Sequence, residues 1–251
     1  MVFTPADWHA RYLQQARWTQ DLRNYIFDRA GLVSARRVLE VGCGTGVLLS
    51  ELQSQPQALV YGIDLNPAYI HIASVNAPDA RCSLADGHYL PYPDGVFDLT
   101  CCHFLLLWVL NPERVASEMA RVTRAGGTVI ALAEPDYGGR VDYPEELAVI
   151  GRWQEESLKN QGADPRMGRR LAEVFHRSGL QEIEVGVLGG QWRGKPSRQE
   201  WELEWRVLQS DLGKTQELRD LRALDWASRE RGERLLFVPT FYAFGKRGFA
   251  Q

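Results

Sequence analysis

The chain has 251 residues, of which 45% are hydrophobic and 24% charged, a balance that excludes disordered and fibrous proteins and leaves apolar material for one large α/β core. With 29 basic against 32 acidic residues the net charge is −3, so the basic excess that drives binding to a phosphate backbone is missing and no nucleic-acid partner is expected. No run reaches the ~18 consecutive apolar residues of a membrane span. "MVFTPADWHARYL" carries acids and aromatics where a signal peptide needs an unbroken apolar stretch, so the protein is expected to be cytoplasmic, without a membrane span. The four cysteines, Cys43, Cys82, Cys101 and Cys102, lack the paired spacing of a disulfide framework. Neighbours on a strand face opposite sides, so Cys101 and Cys102 are poorly placed to share a metal, and none is expected.

Between Pro5 and Gly31, the residues Trp8, Tyr12, Trp18, Leu22, Tyr25 and Ile26 have the spacing of helix faces, which predicts two short helices. "RRVLEVG" then reads as a buried strand, the glycines after it as a turn, and "VLLSELQSQ" as the start of a helix. "ALVYGIDLN" predicts a second strand, with a helix over Ala68–Asn76 behind Asn66-Pro67. A short third strand, a turn-rich loop and a fourth strand from near Phe97 follow. "NPERVASEMARVTRAGG" reads as a helix stopped by glycine, and "TVIALAEPD" as a fifth strand. This alternation predicts an α/β fold, a doubly wound, mostly parallel, seven-stranded Rossmann-like sheet with its ligands at the carboxyl ends of the strands.

After Pro135 the rhythm changes. "YPEELAVIGRWQEESLKNQG" and "MGRRLAEVFHRSGL" read as helical, "QEIEVGVLGGQW" as a strand, "PSRQEWELEWRVLQSDLG" and "TQELRDLRALDWASRERGE" as helices, and "RLLFVPTFYAFGKR" as one final strand. The organisation expected is a pair of helices over residues 1–31 that covers the site, then a domain over 32–251 with helical lid insertions at about 140–165 and 192–233.

The stretch "RRVLEVGCGTGVLLSEL" brings Gly42, Gly44 and Gly46 to a strand–helix turn, where backbone can approach a ligand and a helix start adds positive potential. Val47 stands where a dinucleotide fingerprint has its third glycine, and no Lys-Ser/Thr pair follows, so neither a dinucleotide nor a nucleoside triphosphate fits. Asp64 ends the second strand 22 residues beyond Gly42, where a carboxylate can accept from both hydroxyls of a ribose.

Four stretches in order, "VLEVGCGTG", "YGIDLNP", "ADGHYLPYPDGVFDL" and "ARVTRAGGTVIALAEP", resemble the class I S-adenosylmethionine-dependent methyltransferases over Val38 to Pro135. Within that family the chain is similar to the small-molecule branch that includes ubiquinone/menaquinone C-methyltransferases. The resemblance implies S-adenosylmethionine as cofactor, cradled by Gly42, Cys43, Gly44 and Gly46. It implies Glu40 near the methionine amino group, Asp86 at the adenine amino group with Gly87 and His88 beside it, and Leu65 and His103 flanking the adenosine and methionine ends. In related enzymes amino-terminal helices supply the partner of the methionine carboxylate, which makes Tyr12 and Arg17 candidates.

Methyl transfer is a direct displacement in which alignment and desolvation carry much of the rate, so a catalytic base is optional. His103, at the end of the fourth strand, is the sharpest candidate for one, because an imidazole titrates near neutrality. Glu134, Asp136 and Tyr137 share the expected active edge. The Asn-Pro-Pro-Tyr signature of many macromolecular amino-group methyltransferases is replaced by "CCHFLLLWV", which favours a small-molecule acceptor methylated at oxygen or carbon. Trp153, Trp192, Trp201, Trp205 and Trp226 load the lid with aromatics that suit a flat or apolar substrate, and Arg166, Arg169 and Arg170 could meet an anionic one. The same residues also fit a regulatory protein that binds the cofactor without transferring its methyl group.

Overall fold

β1 (Arg37–Val41) is buried from Val38 onward on both of its faces, as a strand must be at the middle of a helix-covered sheet. The computed structural model describes residues 3–55, 57–187, 196–213 and 215–249. In it β1 lies between β2 (Leu59–Asp64) and β4 (Phe97–Cys102), parallel to both. With β3 (Arg81–Leu84), β5 (Thr123–Pro135), β7 (Leu180–Val187) and β9 (Thr240–Arg247) they form a seven-stranded sheet of order β3-β2-β1-β4-β5-β9-β7. β9 alone runs opposite to the other six strands. The seven-stranded, mostly parallel architecture expected from the sequence is therefore the one observed.

Both amino-terminal helices form as expected. Thr4 caps α1 (Pro5–Trp18) in a reciprocal box with Asp7, and α2 (Gln20–Ala30) ends at left-handed Gly31. On one face of the sheet Leu22, Ile26 and Phe27 of α2 and Leu49 of α3 (Val47–Leu52) pack on Val38, Leu99 and Ile130. On the other, Val115 and Met119 of α5 (Pro112–Val122) and Val174 and Phe175 of α7 (Leu171–Arg177) pack on Leu39, Phe97 and Val129. Cys101 and Cys102 fall in different layers, as strand alternation requires. α4 (Pro67–Asn76) returns the chain from β2 to β3.

The lid differs from its expected form in two places. The stretch expected as one final strand is two: β8 (Leu235–Phe237) pairs with β6 (Val141–Tyr143) in a separate ribbon, and β9 joins the main sheet after Pro239, which has no N–H to donate to a ladder. β6 itself precedes α6 (Ala148–Asn160), opening the first insertion with a strand instead of a helix. α6, α8 (Arg198–Leu212) and α9 (Gln216–Glu230) share their own apolar core of Leu147, Ile150, Trp201, Trp205, Leu218 and Leu221. Trp192, where the second insertion was expected to begin, lies outside the described residues.

Candidate active site

The chain turns from β1 into α3 through Gly42, Gly44 and Gly46, with φ of 73°, 51° and 80°. A Cβ on Gly46 would come 2.8 Å from Cα of Ala73 in α4 and would meet backbone, and one on Gly44 would come 3.3 Å from the Tyr12 ring in α1 and would press on it, at positions whose positive φ already favours glycine. Gly44 N–H donates to Asp64 Oδ2 at 2.9 Å and Asn66 N–H to Oδ1 at 2.8 Å. These bonds fix the carboxylate across the turn, and each oxygen keeps acceptor capacity. Thr45, fully buried, has its hydroxyl 2.8 Å from His9 Nδ1 and its carbonyl bonded by Asn76 Nδ2 at 2.9 Å. Tyr12 meets Tyr69 edge-on at 6.0 Å, and burial raises its phenol pKa. His9 and Tyr12 thereby seat α1 on the glycine turn.

Beneath the turn lies Glu40, only 2% exposed, whose Oε2 is buried with no hydrogen-bond partner among the described residues. Burial, reinforced by the Asp64 charge, raises its pKa well above the carboxylate range, while Arg23 opposes the shift. Arg23, 1% exposed, donates to Glu51 Oε2 at 2.6 Å and to the Thr19 hydroxyl at 2.7 Å. That hydroxyl lies 2.9 Å from His103 Nε2. Part of His103 stays open to solvent, yet burial and then the Arg23 charge push its imidazole down to about 3. It is therefore neutral at physiological pH and a weak base, which corrects the expectation of a group poised near neutrality.

At the rim Leu65 is 66% exposed beside Asp64. Asp86 Oδ1 accepts from the His88 N–H at 2.9 Å and lies 2.7 Å from His88 Nδ1. The amide bond, against burial, holds the Asp86 carboxyl below its ordinary value. His88 Nε2 is buried without a partner among the described residues, and Gly87 packs on Val41. Cys43 gives the turn its N–H bond to the Ile63 carbonyl at 2.9 Å, and its buried thiol is raised in pKa. Glu40, the glycine turn, Asp64, Leu65, Asp86, His88, Tyr12 and His103 thus sit on or over the carboxyl edge of the central strands.

Other candidates are corrected. The Arg17 side chain is 59% exposed and pairs with Glu200 of α8 at 3.0 Å, so it turns toward the lid; the arginine under α1 is Arg23. Glu134 is fully buried and accepts the N–H groups of Leu105, Leu106 and Leu107 at 2.9, 2.8 and 3.2 Å. Burial lifts it to about 7 against those bonds, and its work is to hold the loop after β4. Asp136 pairs with Arg169, Arg166 with Glu155 and Arg170 with Asp164, so the arginine cluster is occupied by structure. Trp201 and Trp205 donate their indole N–H groups to Asp225 and form lid core, while Trp153 lines a cleft of about 690 Å³ between α6 and the α8–α9 turn. His9, Thr19 and Arg23 were not singled out in the sequence; the pairing of Thr19 with Arg23, four residues apart on a helical stretch, was the one visible signal for them.

Comparison with known proteins identifies residues 39–131 as a methyltransferase domain. A phosphatidylethanolamine N-methyltransferase of Cereibacter sphaeroides is 36% identical over 152 residues, 55% of this chain and 74% of that protein. The chain belongs to the S-adenosylmethionine-dependent methyltransferases. The family uses S-adenosylmethionine as its methyl donor. A ubiquinone/menaquinone biosynthesis C-methyltransferase of Geobacter sp. (strain M21) is 34% identical over 124 residues, 46% of this chain and 51% of that one. The chain spans about half the length of the first curated relatives it matches. Among solved structures, phosphoethanolamine N-methyltransferase 2 of Haemonchus contortus, in complex with S-adenosyl-L-methionine, shares the fold with a TM-score of 0.59 at 16% identity, covering 91% of this chain and 53% of that one.

Proposed function

We propose that this chain transfers the methyl group of S-adenosylmethionine to a small-molecule acceptor, at oxygen or carbon. The observation that carries the reading is the glycine turn, closed against α4 at Gly46, facing the Asp64 carboxylate above a Glu40 Oε2 that has no partner among the described residues. Such a cradle fits an adenosyl amino acid: Asp64 would take the ribose hydroxyls, Asp86 and His88 the adenine edge, and Glu40 the ammonium group. Leu65 would cover one face of the base and Tyr12 would close the turn from α1. When bound, the donor supplies a methyl group on a sulfonium sulfur.

The chain's own part is to hold, orient and keep water out. Glu40, Asp64 and the glycine turn would hold the donor with its methyl group toward the acceptor, and an acceptor that reaches the site already deprotonated would need no base from the chain. His103, depressed to about 3 and tied to Thr19, is fitted to orient the methionine end and weakly fitted to remove a proton. Glu134 is committed to three loop amides. Alignment under α1 and the lid would then supply the acceleration, on the order of 7–11 kcal/mol for well-oriented reactants.

Calorimetry with S-adenosylhomocysteine tests the cradle. Asp64→Ala should weaken binding by about 1.5–3 kcal/mol for each bond lost to a charged acceptor. Unchanged affinity would remove Asp64 from the site. Transfer of radiolabel from methyl-labelled donor to small molecules of a cell extract tests the activity, and tight binding without any labelled product would favour the non-catalytic alternative.

A further inference from the structure

α1 has two working faces, and only one is used by the cradle. On the second, one residue before Tyr12, stands Arg11, only 9% exposed. Its Nη1 donates to the neutral Gln14 Oε1 at 2.8 Å, and its guanidinium carbon lies 4.6 Å from the centre of the Trp18 ring. Among the described residues no carboxylate comes within ion-pairing distance of it. The acids facing it from α8 are Glu204, already paired with Arg229 at 3.3 Å, and Asp211, beyond pairing distance.

Just past the end of β5 is Tyr137, whose hydroxyl makes no hydrogen bond among the described residues and whose phenol burial pushes up in pKa while the Arg11 and Arg140 charges oppose the shift. Arg140 is committed to Asp142 at 2.6 Å and Gln154 at 2.6 Å, so Arg11 is the guanidinium with donors to spare. A buried guanidinium whose only hydrogen bond among the described residues goes to a neutral amide, with the Trp18 ring as its other neighbour, keeps free donors for an oxyanion, and its planar fork matches carboxylate and phosphate oxygens. The place is right as well: α1 carries Tyr12 over Gly44 and is followed at once by Thr19 beside His103, and Tyr137 follows the carboxyl end of β5, so both residues belong to elements at the carboxyl edge of the sheet.

We propose that Arg11, with the Tyr137 hydroxyl, receives an anionic oxygen group of the methyl acceptor, which makes the substrate class small molecules bearing a carboxylate or phosphate. The inference rests on the methyltransferase reading above. Its probes are benzoate and phenyl phosphate, with benzyl alcohol as the uncharged control, titrated into the S-adenosylhomocysteine-loaded protein by calorimetry.

At least one anion should bind saturably and about tenfold or more weaker to Arg11→Gln, with a smaller loss for Tyr137→Phe and no difference for benzyl alcohol. Benzoate alone would name a carboxylate, phenyl phosphate alone a phosphate. Folding of Arg11→Gln is judged by retained S-adenosylhomocysteine affinity. Should it not fold, Arg11→Lys, which keeps charge but loses the fork, must weaken the same anion. If neither anion binds the wild-type protein, or if the Arg11 variants bind as well as wild type, the inference is overturned while the methyltransferase reading stands. Absence of S-adenosylhomocysteine binding to the wild-type protein would take both.

Discussion

Two buried carboxylates, equally sheltered, live opposite lives. Asp225 in the lid is 2% exposed and fully engaged: Oδ2 accepts from Trp201 at 2.6 Å and Trp205 at 2.9 Å, and Oδ1 from Arg234 at 2.6 Å. Arg234 continues to Asp142 at 2.6 Å, which holds Arg140. Against burial, Arg229, Trp205 and Arg234 keep the Asp225 carboxyl below its ordinary value. Glu40 under the glycine turn is also 2% exposed, leaves Oε2 without a partner among the described residues, and is pushed up. A buried carboxyl group whose partners are all in place builds structure, and one left with a bare oxygen is where the proposed ligand would supply the partner.

The largest expected effect lies on the lid side. Asp225→Ala takes the acceptor from two indole N–H groups and one partner each from the Arg229 and Arg234 guanidinium groups, and should cost about 3–5 kcal/mol of stability. Denaturant unfolding measures it, and a loss within ~0.5 kcal/mol of zero, as for ordinary surface substitutions, would mean that the lid does not depend on this network.

Glu134 gives a pH signature of similar size. Its carboxyl rises from 4.5 to about 7 on folding, so the folded chain holds a proton that the unfolded chain releases, and stability falls as pH climbs between these values. At ~1.36 kcal/mol per unit the group accounts for about 3 kcal/mol across that window. Glu134→Gln should flatten this part of the curve of unfolding free energy against pH, and an identical slope would assign it to another group.

On the cradle side, Glu40→Gln should leave the empty protein as stable as before or more so, yet weaken S-adenosylhomocysteine by about 1.5–3 kcal/mol. Lower stability together with unchanged affinity would make Glu40 a structural group like Asp225. For His103, with its imidazole at about 3, turnover on a genuine acceptor should show no acidic limb near neutrality that His103→Gln removes. The smallest effect belongs to Arg17→Ala: an exposed pair with Glu200 is worth about 0–1 kcal/mol, and cofactor-product affinity should not move. A tenfold loss of that affinity would return Arg17 to the site.

The glycine turn and the acids around it were legible as structure because their signals are local. A glycine turn between apolar runs, an acid at the end of β2 and alternating strands and helices are short-range patterns, and Gly42, Gly44, Gly46, Asp64 and Asp86 stand where they were expected. The lid is long-range. Arg234 and Asp142 are 92 residues apart in the chain, so neither shows its partner in a window of sequence. Trp201 and Trp205 read equally well as pocket or core until Asp225 is seen beneath both. Glu134 resembled a base on the active edge because its three amide partners come from a loop of no regular period. Arg17 and Arg23 were both visible, but the break at Thr19 between α1 and α2 decides which one turns inward.

Proton release on ligand binding tests the distinction between the two carboxylates most directly. S-adenosylhomocysteine is titrated calorimetrically in buffers of different ionisation enthalpy, from about pH 5 to about pH 8. Burial pushes the Glu40 carboxyl up and an ammonium group beside it would push it back down, so binding should release a proton to the buffer wherever the empty protein holds Glu40 protonated. Glu40→Gln should release none at the same pH. Equal proton release by the two proteins, or none by either, would contradict the assignment of Glu40 as the carboxyl group that the ligand's ammonium completes.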